Sequence, residues 1–252
     1  MEPAEYEVMA AVEDRHWWYT GMRRLAAAWL DPALRARHDL LLLDAGCGTG
    51  GNGQWMWRYG HPVGIDLARE ALVLGRRRLP GRIAGGSVVE LPFAASSFDL
   101  VTSFDVLYHR AVIDEQSALR ETWRVLKPGG YFLMRLPAYR WLSATHDRRV
   151  HGRHRYTATE VRRALERADF QVERLSYVNS LMFPIPLVQR LLERVRPATE
   201  DDSDLLLPGP LANAALRGVL YAEAAWLRRG GRFPWGLSVL SLARKPAQPH
   251  QQ

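Results

Sequence analysis

"LLLDAGCGTGGNG", residues 41–53, sets five glycines and a cysteine directly behind three leucines and an aspartate. The run Leu40 to Leu43 is wholly apolar and stops at a glycine loop, as a strand buried on both faces of a parallel sheet would. Gly46, Gly48 and Gly51 satisfy G-x-G-x-x-G, and Asp66 follows 20 residues after Gly46. The spacing predicts a tight strand-to-helix turn open to a nucleotide, with a carboxylate at the end of the next strand for a ribose diol. By itself it does not separate a nicotinamide cofactor from another adenosine ligand.

Further strands are expected at 62–66 ("PVGID"), 98–104 ("FDLVTSF") and 131–136 ("YFLMRL"). Helical segments lie between them, at Gly51 to Tyr59, Arg69 to Arg78 and Glu115 to Val125. Strand and helix in alternation argue a parallel sheet covered on both faces. An N-terminal helix is expected to end at Asp31-Pro32, with Val8, Val12, Trp18 and Met22 on one face. Thr157 and Glu160 form a capping box ahead of another helix. Strands over 170–178 and 237–245 complete the pattern. Between them lies a proline-interrupted insertion with an apolar helical stretch, Leu211 to Leu227.

"LLLDAGCGTG" resembles the first motif of the class I S-adenosylmethionine-dependent methyltransferases, and "VGIDLA", "LPFAASSFDLVTSFDVLYH" and "ALRETWRVLKPGGYFLM" follow in that family's order. The resemblance implies a doubly wound α/β fold: a seven-stranded, mostly parallel sheet with a terminal antiparallel strand pair. One domain is expected over 1–246, with an N-terminal helical cover at 1–38, a helical lid at about 179–236 and a disordered tail at 247–252.

It also implies S-adenosyl-L-methionine as cofactor and S-adenosyl-L-homocysteine as product. The loop Gly46, Cys47, Gly48 would pack on the cofactor, Asp44 would order the loop and approach its ammonium, Asp66 would hold the ribose, and Leu67 would line the adenine. Ser87 stands where such proteins often carry an adenine-reading aspartate, so Ser87 or the Val88 backbone would make that bond. Phe104 would border the cofactor. "HWWYTGMRRL" is similar to the aromatic-arginine helix that closes over the cofactor in related enzymes. Tyr19 would then face the ligand, with Arg23 or Arg24 near its carboxylate and Arg24 taken as the contact. Plain packing of this helix on the sheet is the alternative.

In-line methyl transfer needs alignment and, for a protic acceptor, a base. His109 is the first candidate, since a neutral imidazole can take a proton near pH 7, with Tyr108 and Tyr156 beside it. A supporting role for His109 in the cofactor loop stays open. The basic loop 135–157, with His146, His151 and His154 among its arginines, would suit an acidic group on the acceptor or simply face solvent. No metal is expected.

The composition narrows the partners. The net charge is +7, but lysine occurs only at 127 and 245, so nearly all of the 34 basic residues are arginines spread along the chain, which argues against a nucleic-acid surface. An acidic N-terminus and a single cysteine point to a soluble cytoplasmic protein without disulfides or a cysteine-based zinc site. The expected reaction is methylation of an oxygen or nitrogen of an apolar, acid-bearing small molecule. A lipid or isoprenoid methyltransferase at the membrane surface, a non-catalytic cofactor-binding protein and a homodimer stay open.

Overall fold

The computed structural model describes residues 3–35, 37–142, 152–184 and 207–247. Leucine-rich β1 (Leu40–Ala45) lies inside a sheet of seven strands, with β2 (Gly60–Asp66) and β3 (Ile83–Gly85) on one side. On the other lie β4 (Phe98–Phe104), β5 (Leu126–Pro137), β7 (Ser238–Arg244) and β6 (Gln171–Val178). The order is β3-β2-β1-β4-β5-β7-β6, and all neighbours are parallel except the two pairs that β7 makes, with β5 and with β6. The carboxyl ends of β1, β2, β4 and β5 therefore share one edge. The chain winds outward from β1 in one direction and from β4 in the other, so a crevice opens between them.

The helices are α1 (Pro3–Val12), α2 (Trp17–Leu34), α3 (Gly51–Met56), α4 (Arg69–Gly75), α5 (Glu115–Val125), α6 (Ala158–Arg167) and α7 (Pro210–Arg228). Successive strand residues face opposite sides, and this divides the core. Leu40, Leu42, Leu100 and Leu133 pack with Met22, Leu25 and Trp29 of α2 and with Leu220, Ala224 and Leu227 of α7. Leu43, Val101, Phe132 and Met134 pack with Leu119 of α5 and with Val161 and Leu165 of α6.

The N-terminal region departs from expectation in two ways. It is two helices, broken at 13–16, where His16 Nδ1 caps the second by accepting from Trp18 N–H at 3.2 Å. Moreover, α2 does not stop at Asp31-Pro32 but runs through Pro32 to Leu34 and ends at Arg35 in the left-handed region. A proline inside a helix removes one hydrogen bond, and here burial of Leu30 and Leu34 against the sheet outweighs that loss.

The expected capping box at Thr157 and Glu160 is formed, and the helical stretch of the insertion is α7. Its Asn213 accepts from Trp17 N–H at 2.8 Å and donates to Arg15 carbonyl at 3.0 Å, pinning the turn between α1 and α2. Glu223 is fully buried on α7 and accepts from Asn179 and Leu181 N–H, both at 2.7 Å, just past the end of β6. Among the described residues, no helix is long and apolar enough to cross a membrane.

Candidate functional site

The glycine loop begins where β1 ends. Gly46 has φ +83°, and a Cβ placed there would lie 2.3 Å from Val106 Cγ2, so only glycine fits between the loop and the segment after β4. Asp66 fastens this loop from β2. Its Oδ2 accepts from Gly48 N–H and its Oδ1 from Ala68 N–H, each at 2.9 Å. A carboxylate has about four acceptor positions, so two remain for a ligand. Cys47 is buried beneath the loop, and its burial together with the nearby Asp44 and Asp66 charges pushes the thiol pKa up. Such a thiol is inert as a nucleophile.

Behind the loop lies a buried network of charge. Asp44, 1% exposed, accepts from Thr102 Oγ1 at 2.8 Å through Oδ1, while its buried Oδ2 has no hydrogen bond among the described residues. Burial first, and the Asp66 charge after it, raise the Asp44 pKa to about 7. Glu13, in the break between α1 and α2, accepts a short hydrogen bond from Thr49 and pairs with Arg78 at 3.0 Å and with Arg23 at 3.5 Å. Arg23 Nε also reaches Asn52 at 3.3 Å, while its buried Nη2, the atom facing Glu13 at 3.5 Å, makes no hydrogen bond among the described residues. One acid oxygen and one guanidinium nitrogen beside the glycine loop thus lack a hydrogen bond among the described residues, the nitrogen having only its ion pair with Glu13. That donor set fits S-adenosylmethionine, whose amino-acid end carries one ammonium and one carboxylate. Helix α1 covers the same loop through Tyr6, whose burial and the nearby Asp66 raise its phenol pKa to about 12, and through Met9.

Not all the residues expected here gather at the loop. Tyr19 is half-buried, and burial and the Glu13 charge push its phenol pKa up. Arg24, by contrast, is exposed on the outer side of α2, its guanidinium 5.6 Å from the Tyr221 ring centroid. The arginine beside the loop is Arg23, because a single step along a helix turns a side chain by about 100°. Leu67 is exposed just after β2. Val88 is buried in the core, and Ser87 Oγ accepts from Val89 N–H at 3.3 Å.

The three expected bases are each occupied or enclosed. His109 Nδ1 accepts from Ala111 N–H at 3.1 Å, so the neutral ring keeps its proton on the other nitrogen and has no lone pair free. Tyr156 is buried and donates to Glu115 at 2.6 Å; burial and that carboxylate push its phenol pKa up. Tyr108 is buried in the core. His154 lies 3.5 Å from Arg140, and burial lowers its pKa. His146, Arg148, Arg149 and His151 lie outside the described residues.

Sequence reasoning passed over Glu13, Arg78 and Arg135. Arg135, near the end of β5, is buried with its guanidinium 5.5 Å from the Phe104 ring and 5.9 Å from that of Trp18. It pairs with Asp105 at the end of β4. A polar residue inside the apolar run "YFLMRLP" was the available signal.

A family model described as "Methyltransferase domain" matches residues 43–134. The Mycolicibacterium smegmatis protein named "Probable S-adenosylmethionine-dependent methyltransferase" is 33% identical over 144 residues, 52% of each chain. The ubiquinone/menaquinone biosynthesis C-methyltransferase UbiE of Roseobacter denitrificans is 33% identical over 142 residues, 52% of this chain and 54% of that one. The chain thus spans about half the length of these curated relatives. A chain from the complex between the Haloferax volcanii Trm112 methyltransferase activator and a methyltransferase superposes with a TM-score of 0.62 at 24% identity. That superposition covers 99% of this chain and 96% of the other. Residues 43–134 thus match a methyltransferase domain, and the fold is shared with that methyltransferase chain.

Proposed function

We propose that the chain is an enzyme that methylates an oxygen or nitrogen of a small, largely apolar molecule bearing an acidic group. The observation that carries the reading is the pair of buried atoms without a hydrogen bond among the described residues: Asp44 Oδ2, two residues before Gly46, and Arg23 Nη2, which lies beside Gly51 and has only its ion pair with Glu13. Bound S-adenosylmethionine supplies an activated methyl on a sulfonium. The chain's own residues bind and align. Asp44 and Arg23 take the charged amino-acid end, Asp66 the ribose hydroxyls, and Phe104 and Tyr19 present ring faces that favour a cation. Orientation of this kind is worth an effective molarity of about 10⁵ or more. An acceptor carbon is the second reading, favoured by the likeness to a relative named as a quinone-pathway C-methyltransferase.

Calorimetric titration with S-adenosylhomocysteine tests the cofactor assignment, with NAD as control ligand. The protein should bind S-adenosylhomocysteine and not NAD, and Asp66→Ala should weaken binding by about 1 to 3 kcal/mol, the usual loss for a charged hydrogen-bond partner. Preference for NAD, or no binding, would sink the proposal. Product analysis by mass spectrometry with labelled methyl donor then separates oxygen, nitrogen and carbon acceptors.

A further inference from the structure

The carboxyl ends of β4 and β5 hold an ion pair that none of the expected bases explains. Asp105 follows Phe104, has φ +57° and accepts from Arg135 through Oδ2 alone, from Nε at 3.1 Å and from Nη2. A non-glycine residue in the left-handed region is strained, and such strain gathers at functional positions. Asp105 Oδ1 and Arg135 Nη1 have no hydrogen bond to any described residue, and the two side chains keep 30% and 10% of their exposure. Val106, the next residue, rests on Gly46 of the cofactor loop. Tyr19 lies within electrostatic reach of both charges. The pair thus stands at the switch of the sheet, between the cofactor loop and the covering helix α2. Among the described residues, one acceptor and one donor there have no hydrogen bond.

We propose that Asp105 and Arg135 together bind the methyl acceptor, with Asp105 as the catalytic base. The substrate class is then a compound with a protic oxygen or nitrogen close to a carboxylate or carbonyl oxygen, such as a hydroxy- or amino-acid group on an aromatic ring. Arg135 Nη1 donates to the carboxylate or carbonyl. Asp105 Oδ1 accepts from the protic group, which points a lone pair of that heteroatom toward the methyl. As the new bond from heteroatom to methyl carbon forms, the methyl–sulfur bond breaks with its electron pair passing to sulfur. The heteroatom's proton moves to Oδ1 and then to water. A carboxylate paired with arginine is a weak base toward a resting phenol. It suffices here because the methylated heteroatom is strongly acidic before it loses its proton. The Trp18 and Phe104 rings on the guanidinium keep water from competing for its free edge.

The inference rests on the methyltransferase reading, and the experiment separates the two. The full chain is loaded with S-adenosylhomocysteine and titrated with 2- and 3-hydroxybenzoate, benzoate and phenol. At least one hydroxybenzoate should bind about tenfold more tightly than benzoate or phenol, the value of one charge-assisted hydrogen bond. The variant Asp105→Asn/Arg135→Gln removes both charges together, so neither is left buried alone. It should keep its melting curve and its S-adenosylhomocysteine affinity while the preference shrinks below about threefold. Asp105→Asn alone should lose the preference over benzoate but keep that over phenol. A protein that binds S-adenosylhomocysteine but shows no hydroxybenzoate preference, or a double variant that retains it, would overturn the acceptor assignment. No binding of S-adenosylhomocysteine by the wild type would overturn the methyltransferase reading as well.

Discussion

The two sides of the crevice are built on different principles. On the β1–β2 side, the groups around the glycine loop are backbone N–H groups and buried charges tied to one another: Asp66 on Gly48, Glu13 on Thr49, Arg78 and Arg23, Asp44 on Thr102. Beyond β5 the surface is aromatic. Tyr139 stacks on Tyr177 at 5.1 Å, and Trp141 and Phe183 lie 6.0 Å apart beside them. Between the two stands the Asp105–Arg135 ion pair. Backbone recognition suits a ligand that never changes, whereas side chains can be exchanged to suit an acceptor. The first side should therefore be intolerant of substitution, and the second should respond in specificity before stability.

The largest effect is expected where the backbone itself is the binding surface. Gly46→Val forces a side chain into the left-handed region and into Val106. Strain and overpacking together should cost about 2 to 6 kcal/mol. S-adenosylhomocysteine binding should fall below calorimetric detection, and near-wild-type affinity would show that the loop is not the contact. Glu223→Ala acts on the far side and should separate stability from binding. It leaves the buried N–H of Asn179 and the partly buried N–H of Leu181 without their acceptor. Chemical denaturation should show a loss of about 2 to 4 kcal/mol, with cofactor affinity unchanged. A parallel loss of affinity would mean that α7 reaches across to the loop.

The same contrast decides how much could be read from the sequence. Every strand of the β1–β5 half except the short β3 was visible as an apolar run, and the glycine loop was visible because its residues are consecutive. Helix α5, Glu115–Val125, was found with both ends in place. The acceptor side was harder. Asp105 and Arg135 are 30 positions apart and meet only through the β4–β5 register, which no local pattern encodes. His109 drew attention by residue type, yet the turn after β4 occupies its Nδ1 with a backbone N–H. Glu13 was hidden for a related reason: its role depends on a helix break, where periodicity is silent. Pro32 misled in the opposite direction, since tertiary burial carried the helix through it.

A smaller and pH-dependent effect should mark Asp44. Its carboxyl holds a proton to about pH 7 in the folded chain, against an ordinary value of 3.8. Between those limits the native state binds more protons than the unfolded one, so the stability of the free protein should fall as pH rises. Between pH 5 and 7 the loss should be about 2 kcal/mol. Asp44→Asn should flatten the curve. The ligand's ammonium favours the charged carboxylate, so S-adenosylhomocysteine affinity should rise over the same range in the wild type only. Arg23, Asp66 and Glu13 also bear on this group, so the Asp44→Asn comparison is needed to assign the slope. A slope that persists in the variant would place the titrating group elsewhere in the network.

The smallest effect, and the sharpest on the placement of α2, compares its adjacent arginines. Arg24→Ala removes a cation from the Tyr221 ring at the surface, a contact worth about 0.5 to 1 kcal/mol, and should leave cofactor affinity unchanged. Arg23→Ala takes away the only described basic group other than Arg78 that pairs with Glu13, and with it a buried guanidinium nitrogen that has no hydrogen bond among the described residues. It should weaken S-adenosylhomocysteine binding by about tenfold or more, as loss of a charged hydrogen bond does. The two residues differ by one step of a helix, so equal effects would mean that α2 turns when the ligand enters. Unequal effects in the expected direction would fix which face of α2 the cofactor meets, and with it the position of Tyr19 and Trp18 over the ion pair that the acceptor must approach.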